Sequence, residues 1–200
     1  MSAPQPAVPW RRIACPEQVA DAIIDLYRQM GQRTYDEAIT QTSHAAQCAV
    51  LAMKSGAAST TIVAALLHDI GHLLEPDDST IRHEEDLRHE YLGARFLSNW
   101  YPTAVTEPIR HHVAAKRYLC AVEPAYYDGL SPASQHSLSL QGGPFSPNEV
   151  AAFESHEEYE TAVLLRRWDD EAKDPRLHYD HIDDYRDLLT ATVLPLPRRG

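Results

Sequence analysis

Apolar residues recur at intervals of three and four along most of this chain. From Pro16 onward, Val19, Ile23, Leu26 and Met30 share one face, and Gly31 follows as a stop. Ala46, Ala49, Val50 and Met53 give a second apolar face over Ser43 to Ser55, closed by Gly56. The third segment differs. Ser59, Thr60 and Thr61 offer N-caps, and Val63-Ala64-Ala65-Leu66-Leu67 is apolar nearly all round. A helix with no polar face is buried. This pattern predicts a helix from Thr61 to about Ile70, ended by Gly71, that carries His68 and Asp69 into the centre of the protein.

Beyond it, residues 75–80 read as a surface loop. A fourth helix is predicted from Glu84 to Trp100, with Leu87, Tyr91, Ala94 and Leu97 along it, and Pro102 beyond its end. A fifth starts near Val105 and includes Ile109, His112 and Val113. Ser131-Pro132-Ala133-Ser134 suits a short helix with proline at its first position. Gln141-Gly142-Gly143-Pro144 is a turn. Ser146-Pro147-Asn148-Glu149 combines a cap, a proline and an acidic first turn, and helical pattern continues from Glu154 to Asp169. One more helix falls near Ile182 to Ala191, after which Leu194-Pro195-Leu196-Pro197 and the basic end are expected to fray. No convincing alternating strand and no internal repeat is visible. The expected architecture is all-α: a flexible arm over residues 1–15, one domain over 16–192, and a tail over 193–200.

A chain of 200 residues suits one domain with a sizeable core. Its formal charge of -11 disfavours a nucleic-acid or anionic-membrane surface. A small anionic substrate is still compatible, because a local cluster of cations can override the global sign. Cys15, Cys48 and Cys120 are widely spaced and form no CxxC pair, so a zinc ribbon or redox motif is not expected. Cys48 and Cys120 read as reduced core thiols. No signal peptide and no run of about 20 apolar residues is visible, which gives the expectation of a cytoplasmic protein with a small-molecule substrate. Oligomeric state is left open.

The chemistry sits in Leu66-Leu67-His68-Asp69-Ile70-Gly71-His72. An imidazole and a carboxylate side by side at the end of a buried helix suit one or two divalent metals, and His/Asp donors suit iron, manganese or zinc. A two-metal site needs about six protein ligands and a bridging carboxylate. Asp69 suits the bridge, and His44, His89, His112 and Asp169 supply further donors from other helices. An isolated histidine is usually a satisfied core or surface group; the His68-Asp69 context with His72 reverses that. His83, His111, His136, His156, His178 and His181 lack such a context. Periodicity alone does not separate His83 from His89, or His111 from His112. Lys116 and Arg166, taken singly, are ordinary surface charges.

The series His44…His68-Asp69…Asp169 resembles the signature of the HD-domain superfamily, most of whose members are all-α, metal-dependent phosphohydrolases. The blocks Glu37-Ala38-Ile39-Thr40-Gln41, His112-Val113-Ala114-Ala115-Lys116-Arg117-Tyr118-Leu119, Leu130-Ser131-Pro132-Ala133-Ser134, Leu140-Gln141-Gly142-Gly143-Pro144 and Arg166-Arg167-Trp168-Asp169 look like the mixed-valent diiron oxygenases of this fold that cleave carbon–phosphorus bonds. Within that family the type of 2-amino-1-hydroxyethylphosphonate dioxygenase is nearest, and myo-inositol oxygenase is more distant. The resemblance covers about residues 35 to 173. It implies His44, His68, Asp69, His89, His112 and Asp169 as ligands of an Fe(II)/Fe(III) pair bridged by Asp69, with O2 as cosubstrate. It selects His89 over His83 and His112 over His111. It implies His72, Lys116, Ser134 and Arg166 as contacts of a phosphonate, with His72 and Lys116 as catalytic residues. Ser137, one turn after Ser134, is a further candidate donor. Guanidinium, ammonium and hydroxyl donors are what a dianion requires.

For the far end of the substrate the resemblance implies Glu37 beside an ammonium. The family's neighbouring tyrosine would fall at 34, where this chain has Thr34, with Tyr35 one place on and Asp36 beside it. An N-methylated ammonium beside an aromatic ring and a carboxylate fits that departure. The expected reaction is O2-dependent C–P cleavage of a 1-hydroxy-2-(amino or N-methylated ammonio)ethylphosphonate, giving phosphate and glycine or an N-methylated glycine such as glycine betaine. The alternative is a metal-dependent phosphohydrolase acting on a nucleotide or phosphate ester. A non-enzymatic ligand sensor would need a degraded site, and the complete donor set argues against it.

Overall fold

A computed structural model describes residues 10–34, 39–74, 88–177, 179 and 181–196. The ten helices of this part are α1 (Pro16–Met30), α2 (Gln41–Lys54), α3 (Ser59–Leu67), α4 (Ile70–Leu74), α5 (His89–Leu97), α6 (Thr103–Val122), α7 (Pro132–Leu140), α8 (Pro147–Glu154), α9 (Tyr159–Glu171) and α10 (Arg186–Thr192). Short 3₁₀ turns lie at Trp10–Arg12, Tyr127–Gly129 and Ile182–Tyr185. Among the described residues the only extended pairing is the isolated bridge between Thr34 and Thr40. None of these helices is long and apolar enough to cross a membrane.

The apolar third helix is the hub, as its pattern predicts. Val63 to Leu67 and His68 are wholly buried, and α3 packs against α2, α6, α9 and α10. The main core joins Ile23, Ile24 and Tyr27 of α1 to Leu66 and Leu67 of α3, Leu97 of α5, Ile109 of α6 and Leu189 of α10. A smaller cluster of Cys48, Ala65, Leu165, Trp168 and Ala172 ties α2 and α3 to α9. Buried phenols close their hydrogen bonds on backbone: Tyr27 donates to the Leu66 carbonyl at 2.9 Å and Tyr185 to that of Ala46 at 3.3 Å. Such pairing removes the cost of burying a hydroxyl.

The structure departs from the expected elements at several places. The third helix does not run on to Ile70; it stops at Leu67, and α4 begins after His68-Asp69. The His68 ring supplies the reason. Its Nδ1 lies 2.9 Å from the Ala65 carbonyl, the group that would otherwise receive the Asp69 N–H in a continued helix. Gly71 does not end a helix but sits inside α4. The third helix is capped by Ala58, without a side-chain cap, so Ser59, Thr60 and Thr61 form its first turn instead. The fourth helix is described only from His89, residues 84–87 lying outside the described part. The capping box at Ser146 and Glu149 forms as expected, but α8 ends at Glu154 and a break at 155–158 separates it from α9. Ser155 Oγ bonds back to the Ala152 carbonyl at 2.7 Å, a local competitor for helical pairing. Residues 193–196, after α10, are held rather than frayed. Leu194 N–H donates to the Trp100 carbonyl at 2.7 Å, and Leu196 packs on the main core.

Candidate metal centre

His44 on α2, His68 and Asp69 between α3 and α4, His89 at the start of α5, His112 on α6 and Asp169 on α9 converge on one buried point. His44 Nε2 is 3.3 Å from His68 Nε2 and 3.2 Å from Asp169 Oδ1. His89 Nε2 is 3.1 Å from His112 Nε2. The two groups meet at Asp69. Its Oδ2 faces His44 and His68 at 3.6 and 3.4 Å, and its Oδ1 faces His89 and His112 at 3.3 and 3.7 Å. Donors at these separations can surround a cation on each side of one carboxylate.

The imidazoles are oriented from behind. His44 Nδ1 lies 2.9 Å from the Ala172 carbonyl, His68 Nδ1 2.9 Å from that of Ala65, and His112 Nδ1 2.7 Å from that of Ile109. A ring that donates Nδ1–H to a carbonyl keeps its proton there and turns the Nε2 lone pair to the centre. Behind His89, Glu90 Oε2 lies 3.7 Å from Nδ1. The donor set fits a pair of iron, manganese or zinc ions: borderline nitrogen ligands, two carboxylates and a bridge.

Electrostatics agree with that fit. Burial opposes the charged form of His68, but Asp69 and Asp169 outweigh it and raise its pKa to about 9. The same negative field favours a cation at that nitrogen. Burial opposes the ionised form of Asp69 as well, yet His68 and His89 hold its carboxyl well below the usual range. Asp169 is likewise held low, by Arg166 first and then His44 and His68, against the effect of burial. Burial, then the neighbouring His89 and His68, push the His112 imidazolium well below its usual range, so His112 is a neutral donor.

A group of cationic and hydroxyl side chains adjoins this cluster. Arg166 is buried; its Nη1 bonds Asp169 Oδ2 at 2.7 Å and its Nη2 reaches Ser134 Oγ at 3.3 Å. Lys116, also buried, bonds Ser137 Oγ at 2.7 Å. His72 stacks on the His89 ring at 4.0 Å and groups with Asp69. His111 turns away, toward Glu107 at 3.4 Å and the His156 ring at 4.5 Å, so His112 is the member of that pair at the centre. Tyr35, Glu37 and His83 lie outside the described residues.

Several neighbours were not legible in the sequence. Lys173 Nζ approaches Ser134 Oγ at 3.2 Å and Ser131 Oγ at 3.4 Å. Asp170 pairs with Arg166, and Tyr126 bonds both of them through its hydroxyl. The Arg166–Asp170 spacing of four on a helix was the available signal; Tyr126 and Lys173 gave none. Cys48, a buried core thiol as expected, lies close to His44 and His68, and burial raises its pKa.

Comparison with known proteins accords with this geometry. The HD domain family matches residues 42–176, a span that contains all six converging donors. The chain is 47% identical over 172 residues to hydroxymethylphosphonate dioxygenase of Gimesia maris, covering 85% of this chain and 86% of that protein. It is 40% identical over 162 residues to the glycine-betaine-forming [1-hydroxy-2-(trimethylamino)ethyl]phosphonate dioxygenase of Leisingera caerulea, covering 78% and 80%. An uncharacterized protein of Acanthamoeba polyphaga mimivirus is 35% identical over 176 residues, covering 86% and 80%. With one relative at 47% identity and six donors converging inside the matched span, the chain belongs to the HD-domain family, among its phosphonate oxygenases.

Proposed function

We propose that this protein cleaves the C–P bond of a 1-hydroxyalkylphosphonate with O2, releasing phosphate and a carboxylate. The reaction adds two oxygen atoms, one to carbon and one to phosphorus, and the C1 hydrogen leaves as a proton. The observation that carries this reading is the buried pair Lys116 and Arg166, with Ser134 and Ser137, set beside a cluster of four histidines and two aspartates. His44, His68, Asp69, His89, His112 and Asp169 would hold the metal, the two Asp69 oxygens each facing one pair of histidines. A mixed-valent pair bound there would supply O2 activation and the redox chemistry at C1.

The protein's own residues bind and orient. Lys116 and Arg166 offset the charge of the phosphonate, and Ser134 donates a directional hydrogen bond. Asp169 and Asp170 lock the guanidinium in place through Nη1 and Nε, so little ordering remains when substrate arrives. His72, which stacks on His89, would donate a hydrogen bond to a phosphonate oxygen. The anion is thereby anchored and C1 faces the cluster.

The group on C1 separates the two named relatives. Hydrogen there is favoured by the 47% identity to the hydroxymethylphosphonate enzyme and by Thr34 in place of the family's tyrosine. The amino or N-methylated ammonio substituent is favoured by Glu37 and by the 40% relative. The test is phosphate release by iron-loaded protein from hydroxymethylphosphonate and from 1-hydroxy-2-aminoethylphosphonates with zero to three N-methyl groups, with and without O2. We expect O2-dependent release, and the best substrate defines the C1 pocket. Oxygen-independent release from a phosphate ester, with none from any phosphonate, would make the protein a phosphohydrolase instead.

A further inference from the structure

A cavity of about 610 Å³ lies against α6, with Arg88, Glu90, Tyr91, Arg110, Arg117 and Gln141 in its lining. Three guanidinium groups converge on it in a chain whose formal charge is -11. Arg88 and Arg110 both lie over the Tyr91 ring, with their guanidinium carbons 5.9 and 5.8 Å from its centroid. Arg110 commits only its Nε, to Glu107 at 3.0 Å; among the described residues its two terminal nitrogens make no hydrogen bond. Arg117 is braced by the Gly143 carbonyl, Glu149 and the Phe145 ring, which leaves Nη1 without a hydrogen bond among the described residues. The Gln141 amide oxygen is buried there and has no partner among the described residues; as an acceptor it can take only the proton of a protonated phosphate oxygen.

The backbone adds an independent sign. Arg88 is the one non-glycine among the described residues with a positive φ, 51°. A left-handed residue with a Cβ is held against a cost of about 1 kcal/mol or more, and such outliers gather at ligand sites. Arg88 belongs to the lining of the cavity and immediately precedes the candidate ligand His89.

We propose that this cavity is a second binding site, for a small dianion of the phosphate class, distinct from the phosphonate site at Lys116. Its cations suit two or three negatively charged oxygens gripped from different sides, and its volume falls within the range of small-molecule pockets. It also touches the metal centre: Glu90 lines the cavity and its carboxylate lies 3.7 Å from His89 Nδ1. Occupancy would therefore be sensed at His89. The proposal needs anion binding alone and stands apart from the assignment of the reaction.

The test is equilibrium dialysis of inorganic phosphate on the iron-loaded full chain without O2, using wild type, Arg88→Gly/Arg110→Gln and Lys116→Met. Glycine at 88 removes the guanidinium and relieves the backbone, so loss of fold does not confound the result; circular dichroism checks it. We expect wild type to bind a second phosphate equivalent. The double variant should weaken that equivalent by about tenfold or more, and Lys116→Met should retain it. Methylphosphonate and inorganic phosphate, run as separate arms, distinguish a substrate-side from a product-side source. A single equivalent in wild type that Lys116→Met abolishes, or displacement of the second by chloride alone at equal concentration, would overturn the proposal.

Discussion

At Gly71 the metal centre depends on a missing side chain. A Cβ there would overlap the His89 carbonyl oxygen and lie 2.7 Å from the carbonyl carbon and 2.9 Å from Cα. All of these are backbone atoms of a candidate ligand, so no side-chain rotation relieves the clash. Gly71→Ala should shift the start of α5, lose metal from the His89–His112 side first, and cost about 1–3 kcal/mol of stability; metal analysis and thermal melts check this. His112→Ala removes a neutral donor already oriented by the Ile109 carbonyl and should lose iron and activity together. Full activity with two irons retained would remove His112 from the ligand set. The sequence marks both positions but gives the role of only one. His112 stands out by its block, whereas Gly71 reads as a helix stop until α4 is seen packed on His89.

Among the helices, α8 was the most legible and the break after α3 the least. Ser146 and Glu149 are neighbours in sequence, and their reciprocal bonds form within one turn. The interruption at His68-Asp69 arises because a ring nitrogen takes a backbone carbonyl, which no periodicity of apolar residues reports. Contacts such as Lys173 with Ser134 or Leu194 with Trp100 span the fold and leave no local trace. The capping box also makes a pH prediction. Bonds from Ser146, then Arg117, hold the Glu149 carboxyl below its usual 4.5. A lowered folded pKa gives stability that is present above the unfolded pKa and lost as pH falls through the folded value. Melts from pH 6 to 3 should therefore show a smaller acid-dependent loss in Glu149→Gln than in wild type. An identical pH profile would mean that the box contributes nothing through its charge.

For the whole molecule, the candidate ligands come from α2, α5, α6, α9 and the α3–α4 junction. Metal bound there would cross-link elements that the main core joins only in part. A ligand that binds only the native state stabilises by mass action. At metal concentrations far above its dissociation constant, a chain of this size should melt on the order of 10 °C higher than after chelation. A shift near zero would mean that the cluster does not hold metal in the folded protein.

The His44 ring takes its orientation from the Ala172 carbonyl, 128 residues further along, beside the last donor, Asp169. During synthesis, then, the first donor to leave the ribosome is among the last to be set. A nascent chain carries histidines without a finished cluster until α9 has emerged and docked. Metal held by all six donors would therefore have to follow the synthesis of α9, and chains terminated before it are expected to be metal-free.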